Sequence, residues 1–195
     1  MSSVGYYDEN ADRFFRDTVN ADMDALQRRF AELLPVGGRV LDAGCGSGRD
    51  TKAFALMGFN VVAFDASAEM VRRARAYTGL EVLQITFAEV CWQGEFDGVW
   101  ASASLLHVPR AQMVEICRRL RDAIVPNGLL YFSFKHGTAE RLVGGRTFTD
   151  MDEASVRELI AQVNGLSMIE LWVTADVRPR RVAEAWVNCL ARRNT

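Results

Sequence analysis

The stretch VLDAGCGSG, residues 40–48, joins an apolar run to three alternating glycines. A short run of this kind is typical of a buried strand, and glycines directly after a strand allow positive φ angles and close approach of a ligand to the backbone. A helix that follows such a turn points its first free N–H groups at the same place. The stretch therefore predicts a strand, a turn and a helix that hold a ligand at Gly44, Gly46 and Gly48.

Apolar runs and helical segments alternate along the rest of the chain. The apolar runs lie at 39–43, 59–64, 80–86, 96–102, 129–134, 166–174 and 182–190, and the helical segments at 51–57, 67–77, 110–123 and 152–163. Runs separated by single helices form parallel strands, and the last two runs are joined by the short link 175–181 without a helix. We therefore predict an α/β fold with helices on both faces of a seven-stranded, mostly parallel sheet whose last strand is antiparallel.

Two further helical segments precede the glycine turn. The segment 8–19 carries Phe14 and Phe15, and the segment from Asn20 to Pro35 has apolar residues at helical spacing. The chain has 195 residues, of which 49% are hydrophobic, and this composition is that of an ordinary globular domain. We expect one domain over residues 1–195, with a helical cap at 1–35 and the α/β core at 36–195.

Net charge and cysteine content bear on which partners the protein binds and in which cellular compartment it works. A net charge of −2 offers no general attraction for nucleic acid or for an anionic membrane. No apolar stretch approaches the roughly 20 residues that span a bilayer, and the first ten residues lack a signal-peptide core. Four scattered cysteines predict neither disulfides nor a metal site. We expect a cytoplasmic protein without nucleic-acid or membrane partners, and either a monomer or a homodimer.

Two acidic residues bear on which ligand the turn holds. The dinucleotide pattern G-x-G-x-x-G would place its third glycine at Arg49, so NAD fits poorly. We expect Asp42 to face the cleft, where it would repel a pyrophosphate and attract a ligand that carries an ammonium and a sulfonium. Asp65 ends the second strand, where a carboxylate can accept both hydroxyls of a ribose. Alternatively, Asp65 only caps the helix that follows it.

The motif VLDAGCGSG, followed by FDAS at 64–67, resembles motif I and the acidic loop of class I S-adenosylmethionine-dependent methyltransferases. The resemblance covers nearly the whole chain and implies a Rossmann-like core with the strand order read above. More loosely, YYDENADRFF at 6–15, GSGRDT at 46–51 and WASASLLHVP at 100–109 resemble small bacterial methyltransferases of the tellurite-resistance group.

The resemblance implies S-adenosyl-L-methionine as cofactor and assigns a role to each matching position. The three glycines would line its methionine and ribose portion, Asp42 its amino-acid end, Asp65 its ribose hydroxyls, and the residues after strands two and three its adenine. The implied cofactor-binding residues are Tyr7, Asp42, Ala43, Gly44, Cys45, Gly46, Gly48, Asp65, Ala66, Met70, Phe87, Ala88 and Ala101.

The same resemblance favours a small-molecule acceptor. The Asn/Asp-Pro-Pro-aromatic motif of amino-methylating enzymes is replaced by ASAS at 101–104, and none of the four cysteines follows a proline as in cytosine-C5 enzymes. With only Lys52 and Lys135, the lysine-rich tetrad of 2′-O enzymes is also missing. We therefore expect an O, N, S or metalloid atom of a small molecule to be the acceptor.

Candidate acceptor-side residues follow the fourth and later strands. His107 could take a proton from an attacking O–H or S–H group, or it could only bond the loop backbone. Arg146, Phe148, Trp172 and Arg178 could together clamp a planar anionic or aromatic substrate, although packing or a surface position is the more ordinary role for each alone. Tyr6 and Tyr7 could close over the cofactor as a lid, or they could only anchor the helix. Two other functions stay open: an S-adenosylmethionine-binding module without catalysis, and an NAD-dependent oxidoreductase.

Overall fold

A seven-stranded sheet with one antiparallel member organises the protein. The computed structural model describes residues 3–178 and 184–195. Its helices are α1 (Ser3–Thr18), α2 (Asp24–Ala31), α3 (Arg49–Leu56), α4 (Ala68–Thr78), α5 (Arg110–Ala123) and α6 (Glu153–Val163). Its strands are β1 (Arg39–Ala43), β2 (Asn60–Asp65), β3 (Val82–Gln84), β4 (Phe96–Ala101), β5 (Ile124–Lys135), β6 (Glu140–Val143), β7 (Arg146–Thr149), β8 (Leu166–Ala175) and β9 (Ala185–Arg193).

The strand order in the sheet is β3-β2-β1-β4-β5-β9-β8. All neighbouring pairs from β3 to β5 are parallel, whereas β9 is antiparallel to both β5 and β8. The predicted Rossmann-like sheet, with its last strand antiparallel, is therefore confirmed. The strand β9 inserts between β5 and β8, so that β8 forms an edge of the sheet.

Side chains of the central strands pack into separate clusters on the two faces. Leu41 and Val99 belong to the cluster that buries α5 and α6, whereas their neighbours Val40 and Trp100 pack with Phe30 of α2 and Phe54 of α3. Successive residues of a strand point to opposite faces, so this separation places helices on both sides of the sheet, as predicted. None of the helices in the described ranges is long and apolar enough to cross a membrane.

Several element boundaries differ from the sequence-based prediction. Helix α1 begins at Ser3, where the side chain accepts a hydrogen bond from the Thr147 backbone N–H, and α2 begins only at Asp24. The polar segment 137–149 contains the hairpin of β6 and β7, which we did not predict because β6 is exposed along its length and has no apolar alternation. Residues 179–183, which include the start of the predicted last strand, lie outside the described residues.

Candidate functional site

Two adjoining cavities lie where β1, β2 and β4 end. The larger one, here the large cavity, has a volume of about 430 Å³. The smaller one, here the small cavity, has a volume of about 250 Å³. Both are lined by Gly44 and Gly46 of the glycine turn, and Tyr7, Phe14 and His107 also face both. The glycine turn therefore lies at the border of the two cavities.

The small cavity is an apolar slot with a carboxylate at one end. Met70, Phe64 and Phe87 are among the side chains that line it, and the Asp65 carboxyl faces the same space. The Asp65 oxygens accept hydrogen bonds from the backbone N–H groups of Gly46 and Ser67, both at 2.9 Å. Burial raises the pKa of Asp65, and those hydrogen bonds partly oppose the rise. A flat aromatic group with nearby hydroxyls suits this combination of walls and acceptor.

The three glycines of the turn have left-handed backbone conformations for different reasons. A Cβ atom on Gly44 would lie 2.6 Å from the Ser104 Cβ, and one on Gly46 would lie 3.3 Å from the Phe14 ring. A Cβ on Gly48 would lie 2.8 Å from the Thr78 Cγ2, because α3 and α4 meet there. Gly48 therefore serves helix packing and lines neither cavity, which corrects the expectation that it contacts the ligand.

The structure also corrects the expectation that Asp42 faces the cleft. Its side chain is only 2% exposed and accepts a hydrogen bond of 2.5 Å from the Thr51 hydroxyl. Burial, followed by the nearby charge of Asp50, raises the pKa of Asp42 to about 8. The carboxyl is therefore mostly protonated at neutral pH, lines neither cavity, and contributes no exposed charge for an ammonium group.

A buried carboxylate that we did not single out from the sequence lies just after the turn. Asp50 accepts hydrogen bonds from Gln27 Nε2 at 2.6 Å and Trp100 Nε1 at 2.9 Å, and from two nitrogens of the Arg49 guanidinium at 2.8 Å each. Burial alone would raise the pKa of Asp50, but Arg49 and the other donors lower it. The Arg-Asp pair at the start of α3 was the sequence signal for this group; Gln27 and Trp100 come from α2 and β4.

His107 and Tyr7 form a hydrogen-bonded pair at the border of the two cavities. The His107 Nδ1 lies 2.7 Å from the Thr147 carbonyl oxygen, which can only accept, so Nδ1 carries the proton. The Nε2 then accepts from the Tyr7 hydroxyl, also at 2.7 Å. Burial lowers the pKa of His107 to about 4 and raises that of Tyr7. The imidazole is therefore neutral at ordinary pH, and the lone pair on its Nε2 accepts the hydrogen bond from Tyr7.

One face of helix α1 is fastened to α4 beside the cavities. The Asp8 carboxylate accepts hydrogen bonds from the Ser67 hydroxyl at 2.6 Å and from the Glu69 backbone N–H at 3.2 Å, at the start of α4. Arg73 of α4 forms an ion pair with Asp12 at 2.6 Å. These bonds hold Tyr7 and Phe14 of α1 against the turn.

The acceptor-side residues divide between the cavity and the core. Arg146, Phe148 and Arg178 line the large cavity, and two guanidinium nitrogens of Arg178 bind the Asp176 carboxylate. Trp172 lines neither cavity, because its ring packs against the core and the Arg29 guanidinium lies 4.4 Å above it. The expectation that Trp172 clamps a substrate is corrected accordingly.

The remaining predicted residues can be placed by the space that they line. Those in the small cavity are Tyr7, Gly44, Gly46, Asp65, Ala66, Met70, Phe87, Ala88 and His107. Those in the large cavity are Tyr7, Gly44, Cys45, Gly46, His107, Arg146, Phe148 and Arg178. Ala43 and Ala101 are fully buried and line neither cavity, because they are inward-facing strand residues. In residues 3–178 and 184–195, no group of three or more His, Cys, Asp or Glu side chains is placed to hold a metal ion.

About half of the chain is similar in sequence to known methyltransferases. Residues 40–128 match the family model of the methyltransferase domain. The ubiquinone biosynthesis O-methyltransferase of Xanthomonas axonopodis pv. citri is 33% identical over 110 residues, which cover 53% of this chain and 45% of that enzyme. The chain thus matches about half the length of this curated relative.

Solved structures share the fold over nearly the whole chain. The 1,6-didemethyltoxoflavin-N1-methyltransferase of Burkholderia thailandensis, solved with S-adenosylhomocysteine and its substrate, has a TM-score of 0.78 at 22% identity and covers 98% of this chain and 85% of that one. The magnesium protoporphyrin IX methyltransferase of Synechocystis PCC 6803, solved with its bound cofactor, has a TM-score of 0.74 at 18% identity and covers 98% and 95%.

Part of the sequence and the fold therefore both resemble methyltransferases. Residues 40–128, a little under half of the chain, match a methyltransferase domain, and the fold is shared with two methyltransferases that were solved with S-adenosylhomocysteine and with S-adenosylmethionine.

The protonated state of Asp42 predicts an effect of pH on stability. Its pKa is about 8 in the folded protein and about 3.9 in an unfolded chain. Between these values the folded state holds a proton that the unfolded state has lost, so the free energy of unfolding falls as pH rises. In Asp42→Asn this titration is absent, and urea denaturation at about pH 5, 6.5 and 8 should show a smaller loss of stability than in the parent.

The surface substitution Asp122→Asn is the control for this experiment, because Asp122 pairs with Arg121 outside both cavities. It should leave the parent's pH dependence unchanged. If the parent and Asp42→Asn lose the same stability between pH 5 and 8, the Asp42 carboxyl is ionised in the folded protein and our assignment is wrong.

Proposed function

We propose that the protein transfers a methyl group from S-adenosylmethionine to a small organic molecule held in the large cavity. One observation carries this proposal: an apolar slot that is lined by the half-buried Asp65 carboxylate adjoins, at the glycine turn, a second and more polar cavity. When bound, S-adenosylmethionine supplies a methyl group on a positively charged sulfur. Transfer of a group between two small ligands requires a donor site and an acceptor site that adjoin each other.

The cofactor assignment rests on the chemistry of the small cavity. Each Asp65 oxygen accepts one backbone hydrogen bond and keeps a further lone pair for a ribose hydroxyl. Ala66, Met70, Phe87 and Ala88 form apolar walls for adenine. We assign the backbone of Gly44, Cys45 and Gly46 to the methionine portion, with Tyr7 covering it.

For His107 we propose a positioning role exerted through Tyr7. A general base works best with a pKa near the working pH, and the pKa of His107 is about 4. Its Nε2 also holds the Tyr7 hydroxyl, so direct proton abstraction would first require Tyr7 to leave. Displacement at a sulfonium methyl group depends mainly on alignment, and a Tyr7 fixed at the border of the cavities can provide it.

An organic ring is the acceptor that we favour for the large cavity. The rings of Tyr6, Phe148 and Trp186 line it together with the charged side chains Arg146 and Arg178. The names of the relatives support this choice, since they act in ubiquinone biosynthesis and on a toxoflavin precursor. A tellurite-like oxyanion is the second candidate, because the cationic side chains suit an anion and short motifs resemble the tellurite-resistance group.

Two rival functions make different predictions. An NAD-dependent oxidoreductase needs room at the position of Arg49, but that side chain is 80% buried and bound to Asp50. A binding module without catalysis would hold the cofactor and turn over no acceptor. Calorimetry with adenosylmethionine, adenosylhomocysteine and NADH distinguishes a methyltransferase from an NAD-dependent oxidoreductase. Turnover with a panel of acceptors distinguishes a methyltransferase from a binding module without catalysis.

The ribose assignment predicts a loss of cofactor affinity in Asp65→Asn. Removing a charged hydrogen-bond acceptor costs about 1.5 to 3 kcal/mol, which corresponds to roughly 10- to 150-fold weaker binding. Isothermal titration calorimetry with adenosylhomocysteine measures this change, with the melting temperature as a check on folding. Asp122→Asn should bind like the parent. Unchanged affinity in a folded Asp65→Asn protein would remove the ribose assignment.

The positioning role of Tyr7 and His107 predicts coupled effects of their substitution. Tyr7→Phe and His107→Ala should each lower kcat by about 10- to 100-fold, and the double variant should be little worse than either, because one contact is lost in all three. The parent should show no change in kcat near the ordinary histidine pKa of about 6.5. If kcat falls in His107→Ala but not in Tyr7→Phe, and the parent's kcat changes near pH 6.5, His107 acts as a general base instead.

A further inference from the structure

Two buried polar atoms in the large cavity lack a partner in the structure. Among side chains of the described residues, Ser102 Oγ and Arg146 Nε are the buried nitrogen or oxygen atoms without a hydrogen bond. Both residues line the large cavity. Buried polar atoms in folded proteins nearly always have a partner, so an exception calls for an explanation. That the two exceptions share one cavity suggests that a bound molecule satisfies them.

The charge of Arg146 is also unmatched. Three other cations of the cavity are each held by a carboxylate: Arg49 by Asp50, Lys135 by Glu184, and Arg178 by Asp176. Arg13 lies on the exposed side of α1 and donates to the Tyr6 hydroxyl. Within the described ranges, Arg146 forms no ion pair. A guanidinium partly withdrawn from water therefore faces the cavity with its full positive charge.

Aromatic rings fix the plane of this guanidinium. The Arg146 Cζ lies 4.1 Å from the centre of the Tyr6 ring and 4.9 Å from that of Phe148. Contacts with ring faces hold an arginine in place while its N–H groups can still donate in the guanidinium plane. The Arg146 side chain also hydrogen-bonds Tyr7, and its Nε has no acceptor among the described residues. A planar carboxylate matches this plane, because it can accept two parallel N–H bonds.

We propose that the acceptor is an aromatic carboxylate, held by its carboxylate group on Arg146 and by a second polar group on Ser102. This assignment rests on the proposed function and gives the acceptor a chemical class. Arg146 donates through Nε, and Ser102 Oγ can donate or accept. The competing source of a carboxylate is the methionine end of the cofactor, and the experiment must distinguish the two.

The test compares two probes of the same shape, 4-hydroxybenzoate and 4-hydroxybenzamide, by calorimetry in the presence of saturating adenosylhomocysteine. The parent should bind the carboxylate about 10- to 150-fold more tightly than the amide, as expected for hydrogen bonds to a charged group. Arg146→Gln should abolish this preference while its affinity for adenosylhomocysteine stays unchanged. Arg146→Lys should keep the charge and part of the preference, since it loses the planar fork.

Two further variants complete the design. Arg141→Gln is the matched control, because Arg141 lies on the same hairpin, contacts the Phe148 ring and binds Asp150, yet does not line the cavity. It should keep the full preference. Ser102→Ala should weaken binding of the benzoate by about fivefold, because the benzoate then loses one hydrogen bond.

Each other outcome contradicts the assignment in a recognisable way. Equal affinity of the parent for the two probes, including no measurable binding of either, overturns it. A preference that survives Arg146→Gln also overturns it. If Arg146→Gln instead lowers the affinity for adenosylhomocysteine, the guanidinium binds the carboxylate of the cofactor. If the parent does not bind adenosylhomocysteine at all, the proposed function itself is wrong.

Discussion

The Asp50 carboxylate is the buried group on which the geometry of the site depends. It accepts hydrogen bonds from α2, β4 and its own neighbour Arg49, which is its ion-pair partner among the described residues. Removing one partner of such a buried pair typically costs several kcal/mol, because the other charge then has no compensation. These bonds fix the start of α3 against the sheet. The glycine turn that precedes α3 is fixed with it, and so is the border between the two cavities.

Three acids around the turn show how local donors decide the state of a carboxyl group. Asp50 accepts hydrogen bonds from four nitrogen atoms on three side chains, of which the Arg49 guanidinium is charged, and the pKa of Asp50 is lowered. Asp42 is equally buried but has one hydroxyl donor and a negative neighbour, so its pKa is raised. Asp65 lies between them in donor number, with two backbone N–H groups, and opens onto the small cavity. Of the three acids, Asp65 lines the small cavity, Asp50 lines the large one, and Asp42 lines neither.

Much of the fold and part of the site follow from the sequence. The bounds of β1 and α5 agree with the predicted ones, because apolar runs and helical periodicity are local signals. The inward turn of Asp42 could not be foreseen, since it depends on Thr51 one turn into α3. The bond from Tyr7 to His107 joins residues 100 positions apart. The unmatched charge of Arg146 is likewise visible only when the pairing of its neighbours is known.

The most direct test of this account is a crystal structure of the protein with adenosylhomocysteine. The account predicts adenine in the small cavity beside Met70 and Phe87, the ribose hydroxyls on the Asp65 carboxylate, and the sulfur at the border of the large cavity near Tyr7. Asp42 should remain bonded to Thr51. Density for the ligand outside these cavities, or ribose hydroxyls that do not contact Asp65, would contradict the central claim that the two cavities are a donor site and an acceptor site.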